Sequence, residues 1–226
     1  MKQPLRRRLG IGTGILAGLA VSLWLHAPGQ AHLLAPGPMN TGHDSLACSS
    51  CHVAAPGSVR QQLQVIARNW IRGEASPADL GFRAVTNTQC QSCHERPDDR
   101  HPVFRFLEPR FADARTAIHP ERCTSCHREH GGTRVTLADG TYCSHCHADL
   151  DVKPDRLDTS HRTLVAAKRW DTCLGCHDYH GNHGLEPPTH LADAIAPAAI
   201  QTYLRGGPSP YPAPIIRAHQ PEVTKP

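Results

Sequence analysis

The chain has 226 residues, with 24 Lys and Arg against 20 Asp and Glu, 17 His, 10 Cys, 20 Pro and 18 Gly, and only 5% aromatics. That length allows one or two ordinary domains, but so few aromatics and so many breakers leave few periodic apolar segments for a large core. Lys2, Arg6, Arg7 and Arg8 carry the whole formal charge of +4, because residues 1–31 hold no acid; the balanced remainder excludes the basic footprint of a nucleic-acid binder.

In chain order, KQPLRRR is a positively charged leader to LGIGTGILAGLAVSLWL (9–25), an uncharged apolar run, and Gly29-Gln30-Ala31 is an acceptable cleavage site. Residues 1–31 therefore read as an export signal peptide. The alternative is an uncleaved anchor to the inner membrane, because a run of about 17 residues is the lower limit for crossing a bilayer. Arg6-Arg7-Arg8 is a poor twin-arginine match, which favours the Sec route. On either reading the rest of the chain is expected in the periplasm.

Every cysteine then falls into one pattern: CSSCH (48–52), CQSCH (90–94), CTSCH (123–127), CSHCH (143–147) and CLGCH (173–177). C-x-x-C-H is the attachment signature of c-type haem. On a helical turn, two cysteines three apart share a face, so both can bond the vinyl edges of one porphyrin. The next residue is then held beneath the ring as proximal iron ligand. The expectation is five covalently attached haem c, bound through Cys48, Cys51, Cys90, Cys93, Cys123, Cys126, Cys143, Cys146, Cys173 and Cys176. Their irons are held by His52, His94, His127, His147 and His177. Structural zinc pairs one C-x-x-C with another or with histidines at wider spacing, and does not explain a histidine directly after every pair. Disulfides between cysteines three apart close loops too small to gain much. A thioredoxin-like C-x-x-C occurs once, near a βαβ pattern absent here.

The longest gap between motifs holds SVRQQLQVIARNWIRGE (58–74), where Val59, Leu63, Ile66 and Trp70 share a helical face. A helix is expected there, packed on the first or second haem and ended by Pro77 and Gly81. The predicted organisation is residues 32–186 as the haem domain, with a helical insert at 58–81, and 187–226 as a Pro-rich extension. That extension contains a short helix in AIAPAAIQTYLRGG and then a mobile extended tail. The predicted fold class is mainly α with much irregular structure, short helices and loops packing around five haems that serve as the core.

Five six-coordinate irons need five further ligands. Only Met1 and Met39 exist as methionines, so histidine must supply nearly all of them. His130 lies three after His127 in CHREHGG, and His180 three after His177 in CHDYHGNHG. An imidazole so near its own proximal ligand is on the wrong side of that porphyrin and should reach a neighbouring iron. The glycines that follow let the chain turn close to a ring. His43, His119 and His161 precede motifs 1, 3 and 5, and His101 follows motif 2; with His130 and His180 they are the candidate distal ligands. His145, inside its own motif, points away from that haem, and His183, His190 and His219 read as ordinary loop histidines.

With its five C-x-x-C-H units, His130 and His180, and histidines placed before motifs, the stretch from residue 43 to about 183 resembles the multihaem c-type cytochromes. It is most similar to the bis-histidine class III (cytochrome c3-like) group and its small pentahaem periplasmic relatives. The resemblance implies low-spin, low-potential haems in contact, passing electrons along a chain between redox protein partners. Residues 58–81 and the Pro-rich tail depart from that pattern. An electron carrier, not an enzyme, is thus the leading expectation. One alternative is a membrane-anchored quinol dehydrogenase cytochrome, contacting the membrane through residues 9–25 and taking electrons from quinol or an inner-membrane oxidoreductase. The other is a multihaem reductase with one open iron, expected at motif 2 or 4; the C-x-x-C-K unit that often marks such a site is absent.

Overall fold

The computed structural model describes residues 3–25, 27, 30, 33, 35–73, 81–137 and 140–219. The expected cleavage stretch lies outside them except for Gln30, as do Pro77 and residues 220–226. The chain divides into two units, 1–38 and 39–226.

In the first unit, helix α1 (Gln3–Leu25) is a single run through the leader. Its segment Arg6–Leu25 is long and apolar enough to cross a membrane, and none of it is buried.

The second unit is mainly α with much irregular chain and no strands among the described residues; its only pairings outside helices are isolated bridges, Ala54 to Phe82 and His183 to Pro214. Its helices are α2 (Val59–Arg72), α3 (Asn87–Gln91), α4 (Ala112–Ile118), α5 (Cys123–Cys126), α6 (Ser144–His147), α7 (His161–Ala166), α8 (Cys173–Cys176) and α9 (Pro197–Leu204), joined by loops and 3₁₀ turns. Four of the five cysteine motifs fold on α3, α5, α6 and α8, and the first on a 3₁₀ turn, Cys48–Ser50. In motifs 1, 2, 3 and 5 the histidine N–H closes the turn by donating to the carbonyl of the first cysteine, each at 2.9 Å. The spacing thus yields the expected local geometry, with both cysteines on one turn and the histidine at its end.

Helix α2 forms where expected. Ser58 and Gln61 close a capping box, and Gly73 (φ 67°) ends it in the left-handed conformation. The buried residue is Gln62, whose side chain bonds Gly57 O and Gly81 N at 3.3 and 3.0 Å. Val59, Leu63 and Trp70 are exposed, Trp70 at 86%. Polar bonds through Gln62 tie this helix to its flanking loops.

The packed core is small: Leu174 of α8 with Ile200 and Leu204 of α9, flanked by Val135, Tyr142, Tyr179, Ile195, Tyr203 and Tyr211. The extension, expected to be mobile beyond its helix, is therefore structural up to residue 219. Tyr211 Oη donates to Leu174 O at 2.7 Å, Ile215 N to Asn182 O at 2.8 Å, and His219 N to Cys93 O at 2.7 Å. This Pro-rich extended segment satisfies its backbone by bonding loop carbonyls, and so straps motif 5 to motif 2.

Two glycines allow main chains to meet. A methyl at Gly140, three before Cys143, would run into Trp170 O, three before Cys173; one at Gly175 would run into Ile195 O.

Candidate haem-binding site

Each motif histidine faces one other imidazole. The pairs and centroid separations are His52 with His130 at 6.3 Å, His94 with His43 at 5.9 Å, and His127 with His180 at 6.1 Å. His147 lies 6.3 Å from His101, and His177 lies 6.1 Å from His161. Rings in van der Waals contact would be closer; Tyr179 stacks on His101 at 4.2 Å. Metal–imidazole bonds are about 2 Å long, so one ion between two rings separates their centres by about 6 Å.

Five of the ten rings have their outer nitrogen engaged. His43 Nδ1 donates to Glu129 Oε1 at 2.7 Å, His101 Nδ1 to Tyr179 O at 2.7 Å, and His180 Nδ1 to the Asp99 carboxylate at 3.1 Å. His161 Nδ1 donates to the Asp155 carboxylate at 3.0 Å, and His127 Nδ1 to Arg134 O at 2.9 Å. A bond at Nδ1 sets the tautomer that leaves the Nε2 lone pair for a metal and raises its basicity. Burial favours the neutral form that ligation requires at four of the ten rings. It pushes His94 down to about 4, helped by the Arg96 charge, and lowers His101, His127 and His177 below the ordinary histidine value.

All ten thiols are unpaired. Across motifs, Cys90 bonds Cys123, which raises Cys90 and lowers Cys123 to about 7. Cys143 bonds Cys173 in the same way, raising the first and lowering the second. Motif 2 is thereby against motif 3, and motif 4 against motif 5. Burial, Glu129 and the thiols of motif 2 raise Cys51, which places motif 1 beside motif 2. Tyr142 is raised by burial, then by Cys143, Tyr179 and Cys126, so it sits between motifs 3 and 4. Consecutive motifs are thus neighbours, and His130 and His180 also bring motif 1 near motif 3 and motif 3 near motif 5.

Of the six candidate distal histidines, five are brought opposite a motif histidine. His119 is not: it holds a left-handed conformation (φ 48°) at the end of α4, with Nδ1 3.3 Å from Glu121 Oε1. His145 is exposed. His183, expected to be an ordinary loop histidine, is nearly buried, with Nδ1 donating to Asp178 at 3.0 Å and its ring on Tyr211 at 4.9 Å. His130 takes a left-handed φ of 63°, uncommon for a residue with a Cβ, and this turn carries its ring away from motif 3 to motif 1. Sequence reasoning missed the Nδ1 acceptors. Asp99 and His180 are 81 positions apart and Glu129 and His43 are 86 apart, so no local pattern joins them. Motifs 2 and 4, where an open iron was expected in the reductase alternative, both face a second imidazole, His43 and His101.

Residues 74–148 match the family model for cytochrome c3. The matched stretch contains motifs 2, 3 and 4 and makes the chain similar there to multihaem electron-transfer cytochromes with covalent haem c. No curated protein and no solved structure matches the chain. The donors fit that group: paired thiols on single turns, each next to an imidazole that faces another across the width of one ion. Among the described residues no three or more His, Cys, Asp or Glu converge as the ligand set of a bare metal ion.

Proposed function

We propose that this is an exported electron-transfer protein that binds five haem c, each through one C-x-x-C-H unit and one distal histidine. It relays electrons between redox proteins of a respiratory chain in the periplasm. The observation that carries this reading is the set of five imidazole pairs separated by 5.9 to 6.3 Å. Haem c, when bound, supplies one-electron exchange at its iron. The cysteines would tether it, His52, His94, His127, His147 and His177 would each supply one iron ligand, and His130, His43, His180, His101 and His161 respectively would supply the second. The carboxylates of Glu129, Asp99 and Asp155 hold distal rings in place, so little reorganises when charge changes. With both axial positions filled by the chain, no site is left for a substrate, which favours a carrier over a reductase. Adjacency of the motifs to one another supports a relay from haem to haem.

The test is the mass of the mature protein together with its paramagnetic resonance and optical spectra, with and without nitrite or carbon monoxide. Five haems, all low-spin and unaltered by added ligand, are expected. A high-spin or ligand-binding centre would overturn the carrier reading in favour of a reductase, and fewer than five haems would overturn the motif assignment.

A second reading, a membrane-anchored cytochrome oxidising quinol, is favoured by one observation, the apolar segment Arg6–Leu25 of helix α1, long enough to cross a membrane and not buried. Retention in salt-washed membranes, with residues 1–31 present by mass, would support it.

A further inference from the structure

Four of the five imidazole pairs have ring planes inclined by 28° to 51°, but His101 and His147 stand at 85°. The ring of Tyr179 lies against His101 nearly parallel, 4.2 Å between centres and 14° between planes. It meets His180 edge-on at 4.8 Å and 84°. Tyr142 closes on Tyr179 at 6.2 Å and 66°. Tyr179 also supplies the carbonyl that accepts from His101 Nδ1 at 2.7 Å. One residue thus grips His101 twice, by main chain and by ring. The carbonyl bond alone leaves the imidazole free to rotate about the Nδ1–H axis; the stacked ring removes that freedom. The near-parallel stack at 4.2 Å thus favours one imidazole orientation.

We propose that Tyr179 is a positioning residue that locks His101 perpendicular to His147, making the fourth haem centre electronically distinct from the other four, while its ring edge restrains His180 at the third. This rests on the bis-histidine reading above. The mutual angle of two axial imidazoles sets the degeneracy of the iron orbitals in a low-spin ferric haem. A near-perpendicular pair gives a highly anisotropic signal with a large maximum g value, and more nearly parallel pairs give ordinary rhombic signals. The junction where Tyr179 lies is also where Tyr142 lies between the cysteines of motifs 3 and 4.

The experiment is frozen-solution paramagnetic resonance of the oxidised holoprotein and its variants, each checked by mass for five haems. The wild type is expected to give one highly anisotropic signal beside four rhombic ones. His101→Ala, which leaves every C-x-x-C-H unit intact, should remove the anisotropic signal and assign it. Tyr179→Phe keeps the ring and should keep that signal. Tyr179→Leu should lose it into the rhombic envelope, with a smaller shift in one other centre; if Tyr179→Leu does not mature, Tyr179→Met, which fills the space without a ring, takes its place. Five low-spin centres with no anisotropic signal, or an anisotropic signal that survives removal of the Tyr179 ring, would overturn this proposal and leave the proposed function standing. Fewer than five low-spin centres in the wild type would overturn the proposed function and this inference with it.

Discussion

The segments Cys126–His130 and Cys176–His180 share the spacing C-H-x-x-H and do the same topological work by different means. Each ends in a histidine that leaves its own motif for an earlier one, His130 for His52 and His180 for His127. Each uses the residue before that histidine to hold the imidazole that faces yet another motif histidine. In the first segment that residue is Glu129, whose carboxylate takes His43 Nδ1 and whose second oxygen takes Asn40 N at 3.2 Å. In the second it is Tyr179, which uses its backbone carbonyl and leaves its side chain free to stack. An ionised acceptor strengthens the bond and makes the imidazole more basic, so it favours ferric iron; a neutral carbonyl does this less. The same turn therefore produces two electronic environments, and motif 2 is expected to have a lower potential than motif 4.

The largest effects should come from removing the histidines that tie segment to segment. His130→Ala and His180→Ala should each convert one low-spin centre into one that binds carbon monoxide, visible optically. Axial ligation spans about 0.8 V in haem proteins, so a shift on the order of 0.1 V at that centre is expected in a redox titration. If only one variant binds carbon monoxide, the two segments are not equivalent ligand donors, and if neither does, neither histidine is an iron ligand.

Next are the contacts that press motifs together. Gly140→Ala should destabilise the seam between motifs 4 and 5 by about 3 kcal/mol, the upper part of the range for overpacking, because the added methyl meets a backbone carbonyl that cannot yield. Its counterpart between motifs 2 and 3 is polar: Asn87 accepts from Cys123 N at 3.0 Å and donates to Glu121 O at 2.7 Å. Asn87→Ala is expected to cost about 2 kcal/mol, for two bonds lost with partners left behind. Thermal melting of both holoproteins measures the difference, and equal losses would erase the contrast between a steric and a hydrogen-bonded seam.

Glu129→Gln sharpens the comparison most directly. It keeps an acceptor for His43 and removes the charge, so one centre should rise by about 50 mV, close to the 59 mV that a tenfold change represents for one electron. A potential profile identical to wild type would show that the carboxylate only positions its ring.

The smallest effect is expected for Tyr211→Phe, which loses the bond to Leu174 O but keeps the ring on His183. About 1 kcal/mol, or a fall of about 3 °C in melting temperature for a chain of this size, would show that the tail strap relies on its apolar contacts first.

Much of the chemistry was legible because it is local. Cysteines three apart and a histidine one further on define a single turn, and four backbone bonds of 2.9 Å close that turn as expected. The displacement of His130 and His180 from their own motifs follows from the same short-range geometry. What escaped were long-range matters. His119 and His43 look alike in sequence, each a few residues ahead of a motif, yet only His43 meets a motif histidine, and it meets motif 2, not the neighbouring motif 1. Helix α2 was visible in its period and its caps, but the period alone did not show that Gln62 anchors it.

The sequence by itself determined that thiols and imidazoles are presented in five units, that ten further histidines outside positions 1–32 are at hand, and that no large core competes with them. The tertiary structure decided which imidazole faces which, which carboxylate or carbonyl steadies it, and at what angle the planes meet. The physical reason is that a turn is closed by bonds within five residues, whereas each imidazole pair is set by the packing of short helices and loops, and no periodicity in the chain encodes how those come to rest against one another.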